Sequence, residues 1–372
     1  MKIKFSIPNI FNNDLNLVKK IIKSGWLVHG KYTLLFEEEI KKFTGAKYCT
    51  LVSSCTAGLH LSCIASGFKR GYEVIVPAMT HTATAHAVEY TGAKVVFADN
   101  HNFTGNLNLE NIKKKITNKT KGIILVHMSG ISCEMSKIIS FCKKKKITII
   151  EDCAHALGTK YKKKHVGNFG VTGSFSFYPT KQLTTGEGGA VITNDLNFYN
   201  KIKKLKAFGI DKDIKDRKKQ GDYDVKELGF NYRMTDFQAS LGYQQIKKYK
   251  DNLKTRKKIA KRYIKNLTKS DNIIFEPYSN NNSYFIFQIF CNRRDYVLKK
   301  FKELGIGVSV HYSTPLNQMS YYKKKYKINL MDYKNSNLYS KMNISLPVYP
   351  KLKNFEIDFI CEMLIKLTRN EK

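Results

Sequence analysis

Residues 173–190 read Gly-Ser-Phe-Ser-Phe-Tyr-Pro-Thr-Lys-Gln-Leu-Thr-Thr-Gly-Glu-Gly-Gly-Ala. Phe175, Phe177 and Tyr178 alternate with small residues, the pattern of a short strand that packs aromatics on one side. Pro179 has no N–H to give a neighbouring strand, so the ladder ends there. Lys181 follows at the strand exit, trailed by Gly186, Gly188 and Gly189. An amine held between a rigid strand and a permissive loop is set to meet a carbonyl, and a desolvated amine becomes a nucleophile. The same lysine also reads as one more surface lysine in a lysine-rich chain. The neighbouring stretches decide between the two.

Upstream, Ile147–Ile150 is wholly apolar, as expected of a strand buried on both faces, and it runs into Glu151-Asp152-Cys153-Ala154-His155. A carboxylate just past the C-terminal end of a central strand lies where α/β sheets bind ligands. Tyr48–Val52 reads as a strand, and Ser53-Ser54-Cys55-Thr56-Ala57-Gly58 opens a helix running through Gly67. Hydroxyl residues at a helix start cap it, and with free N–H groups they make an anion site, although a plain capped helix has the same spelling. Strands at 73–76, 94–98 and 123–127 alternate with helices, one of them near 134–145. Over 48–208 this predicts an open, mostly parallel sheet. The second of these strands follows Pro77–Thr84, where His81 reads either as a capping residue or as a flat group offered to a ring.

At 372 residues the chain has room for about two domains. Hydrophobic residues at 42% and charged residues at 26% describe an ordinary globular protein. The start has no apolar signal-peptide run and no long apolar span follows, so a cytoplasmic protein with no membrane partner is expected. Eight scattered cysteines without a Cys-x-x-Cys pair suggest buried thiols rather than a disulfide framework or a metal site. The 65 basic against 30 acidic residues give a net charge of +35. The lysine runs 113–115, 143–146, 162–164 and 323–325 fall at predicted helix ends and hairpin turns along the whole chain, not in a basic stripe interleaved with aromatics. They read as solvated faces whose field favours anionic ligands, and no nucleic-acid partner is expected.

Residues 14–43 are predicted mainly helical around a loop, 24–30, that carries the single tryptophan, Trp26. Trp26 reads as packing first and as a face for a flat ligand second. The polar stretch 211–226 reads as a mobile loop near the site. A long basic helix at about 243–267 is predicted to lead to a smaller C-terminal unit of α+β character. That unit has strands at 284–290 and 307–311, a helix near 295–304 and a last helix from about 354. The division expected is 1–245 and 246–372.

A lysine nucleophile, an aspartate at a strand end, a helix-terminal anion site and a flat side chain are together what a pyridoxal phosphate site requires. The blocks Ser53–Gly67, Pro77–Ala87, Glu151–Gly158, Ser174–Gly189 and Gly229–Gly242, in that order, resemble the DegT/StrS-type sugar aminotransferases. The resemblance runs from about residue 8 to the C-terminus. It implies the aspartate-aminotransferase (type I) fold of pyridoxal phosphate enzymes, α/β with a mostly parallel sheet and a smaller C-terminal domain. It also implies that Lys181 is the Schiff-base lysine and proton shuttle, that Asp152 pairs with the pyridine nitrogen, and that His155 lies near the ring hydroxyl. Thr56, Ala57 and Ser176 then hold the phosphate and His81 stacks on the ring. Asn231 reaches the phosphate of a neighbouring subunit, which implies a homodimer with shared sites. His311 and Tyr312 line the sugar pocket, and Trp26 and Gly30 lie near the nucleotide.

Cys55 departs from a frequent glycine, His81 from a frequent aromatic, and Ser132 and Glu134 from a usual Pro and Asp; none of these changes removes a catalytic group. The activity the resemblance implies is transfer of an amine from L-glutamate to a nucleotide-linked keto-sugar, with a 4-keto-6-deoxyhexose expected, for amino-sugar and surface polysaccharide biosynthesis. The alternatives are a pyridoxamine phosphate-dependent sugar dehydratase, against which Lys181 argues, and a non-catalytic regulator of the same fold.

Overall fold

A computed structural model of the chain describes residues 2–212, 219 and 221–369. Two helices, α1 (Asn12–Ser24) and α2 (Lys31–Thr44), come first. Strands and helices then alternate: β1 (Tyr48–Val52), α3 (Cys55–Ala65), β2 (Glu73–Pro77), α4 (Thr82–Glu89), β3 (Lys94–Ala98), α5 (Leu109–Lys113), β4 (Thr120–Val126), α6 (Met135–Lys145) and β5 (Thr148–Asp152). A short hairpin, β6 (Lys160–Tyr161) and β7 (Lys164–His165), precedes β8 (Thr172–Ser176) and β9 (Gly189–Thr193).

The longer strands form one seven-stranded sheet in the order β1-β9-β8-β5-β4-β2-β3. Only β9 runs against its neighbours, so the sheet is mostly parallel, as expected. Both faces are covered, which explains why Val74–Val76, Ile123–Leu125 and Ile150 are fully buried. Every parallel strand ends at the same edge, and there the loops carrying Cys55, His81, Asp152 and Lys181 meet. The lysine runs lie where the sequence put them, at the ends of α5, α6 and α11 (Ser320–Lys325) and in the β6–β7 turn.

After α7 (Leu196–Leu205) and α8 (Asp236–Lys247), α9 (Tyr249–Leu267) leads to a second, antiparallel sheet of β10 (Ile274–Phe275), β11 (Phe287–Phe290) and β12 (Asn343–Leu346). This sheet packs with α9, α10 (Arg294–Glu303) and α13 (Asn354–Thr368) around Tyr263, Phe287, Ile289, Phe301, Ile344 and Ile360. The last helix of the unit before β12 is α12 (Lys334–Met342). Ile3 belongs to the same core: its N–H donates to Gly305 O at 2.9 Å, and its carbonyl accepts from Gly307 N–H at 2.7 Å.

Three expectations need correction. The helix expected at 243–267 is two helices, broken at Lys248 (φ −96°, ψ −1°), so that Tyr249 stays in the large-sheet core while Ile259 and Tyr263 enter the second. The strand expected at 307–311 is a single bridge, Ser309 to Ser345. The N-terminal strap takes the space beside it, since a Cβ on Gly307 would lie 2.6 Å from Phe5 N. The strand expected at 284–290 begins only at Phe287. Of the polar loop expected at 211–226, residues 213–218 and 220 lie outside the described residues. Among the described residues no helix is long and apolar enough to cross a membrane.

Candidate active site

Asp152 is the last residue of β5 and is buried. Its Oδ2 accepts from Thr84 Oγ1 at 2.8 Å, and its Oδ1 accepts from Ala154 N–H at 3.1 Å. Thr84 Oγ1 is itself 2.9 Å from Thr80 Oγ1. The Cys55 thiol lies 3.9 Å from Asp152 Oδ1 and 3.5 Å from Ser174 O. Neutral donors thus orient the carboxylate.

The preceding residue has a different fate. Glu151 is fully buried, and its two oxygens accept from His127 Nε2 at 2.9 Å and from Gly167, Phe169 and Gly170 N–H at 2.7 Å each. Cys133 N–H donates to His127 Nδ1 at 3.2 Å, so the other ring nitrogen carries the proton given to Glu151. Burial alone would push the Glu151 carboxyl up, but the His127 and backbone donors hold it below its ordinary value of 4.5. His127, Glu151 and Cys153 bring ligand-type atoms within 4.8 Å of one another, but Glu151 already serves four donors, so the cluster is a hydrogen-bonded core.

Lys181 sits in the turn that leaves β8, its N–H bonded to Tyr178 O at 2.9 Å, while Phe177 N–H reaches Gly188 O at 2.9 Å. Phe177 is buried against Phe36, whereas Tyr178 turns outward. The Lys181 amine lies 4.5 Å from the centroid of the Phe285 ring. Burial pushes its pKa down to about 8, against the opposing pull of Cys55 and Asp152. His155 stacks on the same Phe285 ring, with centroids 4.4 Å apart and planes at 20°. Burial holds His155 well below the usual histidine range, and Lys181 adds to that effect. His311 meets Phe285 edge-on at 5.7 Å, and burial takes its pKa down to about 3. Tyr312 lies 5.8 Å from His81 and 6.5 Å from His155.

His81 is the N-cap of α4, its Nδ1 accepting from Ala83 N–H at 3.2 Å, and its ring is exposed. Ser54 caps α3 through Ala57 N–H at 3.0 Å, and the N–H groups of Cys55 and Thr56 have no helical carbonyl behind them. Gly189 lets this helix start lie against the end of β8, beside Ser176. A Cβ there would meet Ser54 C at 2.6 Å and Phe175 O at 2.7 Å.

Lys181, Asp152, Cys55, His155, His81, His311 and Tyr312 therefore come together, with the α3 start and Ser176 next to them. Asn231, Trp26 and Gly30 form a second group. Asn231 is exposed and accepts from Arg233 Nε at 3.1 Å, and Arg233 Nη1 is 3.1 Å from His29 Nε2. Gly30 is the N-cap of α2, where a Cβ would lie 2.0 Å from the Asp236 carboxylate. Trp26 is 60% exposed, so its reading as intrachain packing is corrected. The loop at 24–30 lies outside the core clusters. Sequence reasoning missed Phe285 and Thr84. Thr84 had a signal, its place in the first turn of α4; Phe285 had none, since only tertiary packing brings it to Lys181.

Residues 8–365 match the DegT/DnrJ/EryC1/StrS aminotransferase family. The chain belongs to this family. It is 34% identical to GDP-perosamine synthase of Escherichia coli O157:H7, with 96% of each chain covered. It is 33% identical to UDP-4-amino-4,6-dideoxy-N-acetyl-β-L-altrosamine transaminase of Campylobacter jejuni, with 100% of this chain and 98% of the relative covered. Its fold superposes on Spr1654 of Streptococcus pneumoniae, assigned as a sugar aminotransferase and solved with pyridoxamine phosphate, at a TM-score of 0.93, 29% identity and 99% coverage of both chains. This family member has the type I fold and is a pyridoxal phosphate-dependent aminotransferase. Its residues fit that cofactor: an amine whose pKa burial lowers, a buried carboxylate held by neutral donors, and a capped helix start at the same sheet edge.

Proposed function

We propose that this aminotransferase moves an amino group from L-glutamate to a nucleotide-linked keto-sugar, an NDP-4-keto-6-deoxyhexose, in amino-sugar biosynthesis for surface polysaccharide. The names of the relatives support the sugar class, a GDP-sugar synthase and a UDP-sugar transaminase at 33–34% identity. The observation that carries the reading is the desolvated Lys181 amine beside the buried Asp152 at the open ends of the parallel strands.

When bound, pyridoxal phosphate supplies an electron sink in its ring. Lys181 would hold the cofactor through its amine and, when that amine is free, would be the group placed to take up and return a proton at the substrate carbon. With a pKa near 8, a useful share of that amine is unprotonated near neutrality. Asp152, oriented by Thr84 and Ala154, holds the proton on the ring nitrogen. His155 is neutral and serves the ring hydroxyl; its Nδ1 accepts from Ser129 N–H at 3.4 Å, which leaves Nε2 as the proton-bearing atom. Thr56, Ala57 and Ser176 hold the phosphate, and His81 covers a ring face. His311 and Tyr312 bound the sugar, and Trp26 and Gly30 lie on the nucleotide side.

Asn231 serves the phosphate of a second copy, so the working unit is a homodimer with shared sites. Apolar side chains left exposed on the 26–35 segment and at Phe208 and Leu228 support this: Trp26, Leu27, Leu34 and Leu35 on the first, with Phe208 beside Arg233. We assign 1–245 to a cofactor-binding domain and 246–372 to a smaller one, with Ile3 lent to the second core, and we place the enzyme in the cytoplasm. The test is a panel of UDP-, GDP- and dTDP-linked 4-keto-6-deoxyhexoses supplied with glutamate and read by mass spectrometry. One or more amino-sugar products with matching 2-oxoglutarate are expected. Glutamate turnover without amination of any keto-sugar contradicts the substrate assignment.

A further inference from the structure

Phe285 is 2% exposed, precedes β11 by two residues, and is the aromatic face nearest the Lys181 amine. Its position is set by a short segment pinned to the large-sheet side. Lys160 N–H donates to Asn281 O at 2.8 Å, and Ser283 N–H donates to Gly130 O at 3.1 Å. The Ser283 hydroxyl accepts from Gln182 Nε2 at 2.9 Å, lies 2.8 Å from Thr159 Oγ1 and reaches His155 O at 3.3 Å. Gln182 is the residue after Lys181, and its carbonyl accepts from Asn252 Nδ2 at 3.1 Å. One fully buried hydroxyl therefore ties the Lys181 turn, the His155 turn and the approach to Phe285. The approach is close: Gly130 holds φ +85°, and a Cβ there would sit 2.5 Å from Ser283 Oγ and 3.0 Å from Tyr284 N.

We propose that Phe285 is a positioning residue for Lys181: its ring gives the ε-amine a fixed, water-poor seat, and Ser283 holds that seat in register with the Lys181 turn. The proposal rests on the reading of Lys181 as the reacting amine. Two effects of the ring oppose each other. Its negative face attracts an ammonium within about 6 Å, while its bulk excludes the water that would solvate the charge. Asp152 and Cys55 favour the charged amine, and His155, His81 and His311 face it as neutral rings. Burial by the surroundings as a whole outweighs the attraction, since it holds the amine's pKa at about 8, below the ordinary 10.5.

The two effects separate by substitution. Phe285→Leu keeps the seat dry and removes the aromatic face; Phe285→Ala admits water. The measurement is the pH profile of Lys181 modification by fluorodinitrobenzene in the full chain freed of cofactor, read peptide by peptide by mass spectrometry, with thermal melting to verify folding. The midpoint is expected to fall below the wild-type value in the Leu variant and to rise by about one unit or more in the Ala variant. Ser283→Ala is expected to move it upward by a smaller step. The proposal is overturned if both Phe285 variants titrate within about 0.3 unit of wild type, or if Ala titrates no higher than Leu. Because the readout needs no cofactor, its failure is distinct from failure of Lys181 to capture pyridoxal phosphate, which would overturn the functional reading instead.

Discussion

Glu151 and Asp152 are successive residues of one strand, so their side chains leave opposite faces of the sheet, and the two faces treat the same functional group differently. Glu151 is closed: four donors from His127 and the 167–170 turn use both oxygens, and the carboxylate becomes a staple between β4, β5 and the approach to β8. Asp152 is open: Thr84 and Ala154, with the Cys55 thiol at 3.9 Å, fix its direction, and its charge acts on the Lys181 amine. Saturation makes a carboxylate structural; orientation without saturation makes it available for chemistry. A motif reader sees Glu-Asp as a pair, and only the count of donors separates them.

The comparison can be broken in order of expected effect. Asp152→Ala should cost about 10²–10³-fold in kcat, the scale for losing a preorganised charge at a reacting group, with little change in melting temperature. Steady-state kinetics beside a thermal melt read both halves of that claim. Glu151→Ala should do the reverse. Stripping the partner from His127 and three backbone N–H groups should cost about 3–5 kcal/mol of stability, measured by urea unfolding, while any protein that remains folded keeps its cofactor. A kinetic defect in folded Glu151→Ala as deep as that of Asp152→Ala would erase the distinction.

A pH measurement sharpens the same contrast. Glu151 titrates below its ordinary value when folded, so its stabilisation is present in full above about 4.5 and is lost as pH falls through the folded value. The acid limb of the stability curve should therefore be shallower in Glu151→Gln than in wild type. Equal slopes would remove Glu151 from the acid response. The smallest effect belongs to Thr84→Val, which deletes one charge-assisted hydrogen bond to Asp152. About 1.5 kcal/mol, roughly tenfold in kcat, is expected with stability nearly unchanged.

Much of this site was legible because its parts are local. Ser54 at a helix start, Asp152 at the end of an apolar strand and Lys181 after Pro179 each carry their signal within a few residues, and the alternation of strands and helices orders them along one sheet edge. What stayed hidden depends on distant partners. Ile3 gains its place only by pairing with Ile306, 303 positions away. The break at Lys248 serves two separate cores, while the basic, helix-favouring sequence runs through it. Phe285 looks like any strand aromatic until the Ser283 hydroxyl brings it beneath Lys181. Trp26 failed in the other direction: a large aromatic is expected inside, and here it stays exposed beside Leu27.

The central claim is that the amine of Lys181 joins the cofactor. The direct measurement is borohydride reduction of the pyridoxal phosphate-loaded protein, followed by digestion and mass spectrometry of the 173–190 region. The account predicts a pyridoxyl phosphate mass on Lys181 alone, absent from Lys181→Ala. A tag spread over surface lysines, or one that survives the Lys181→Ala substitution, would contradict it.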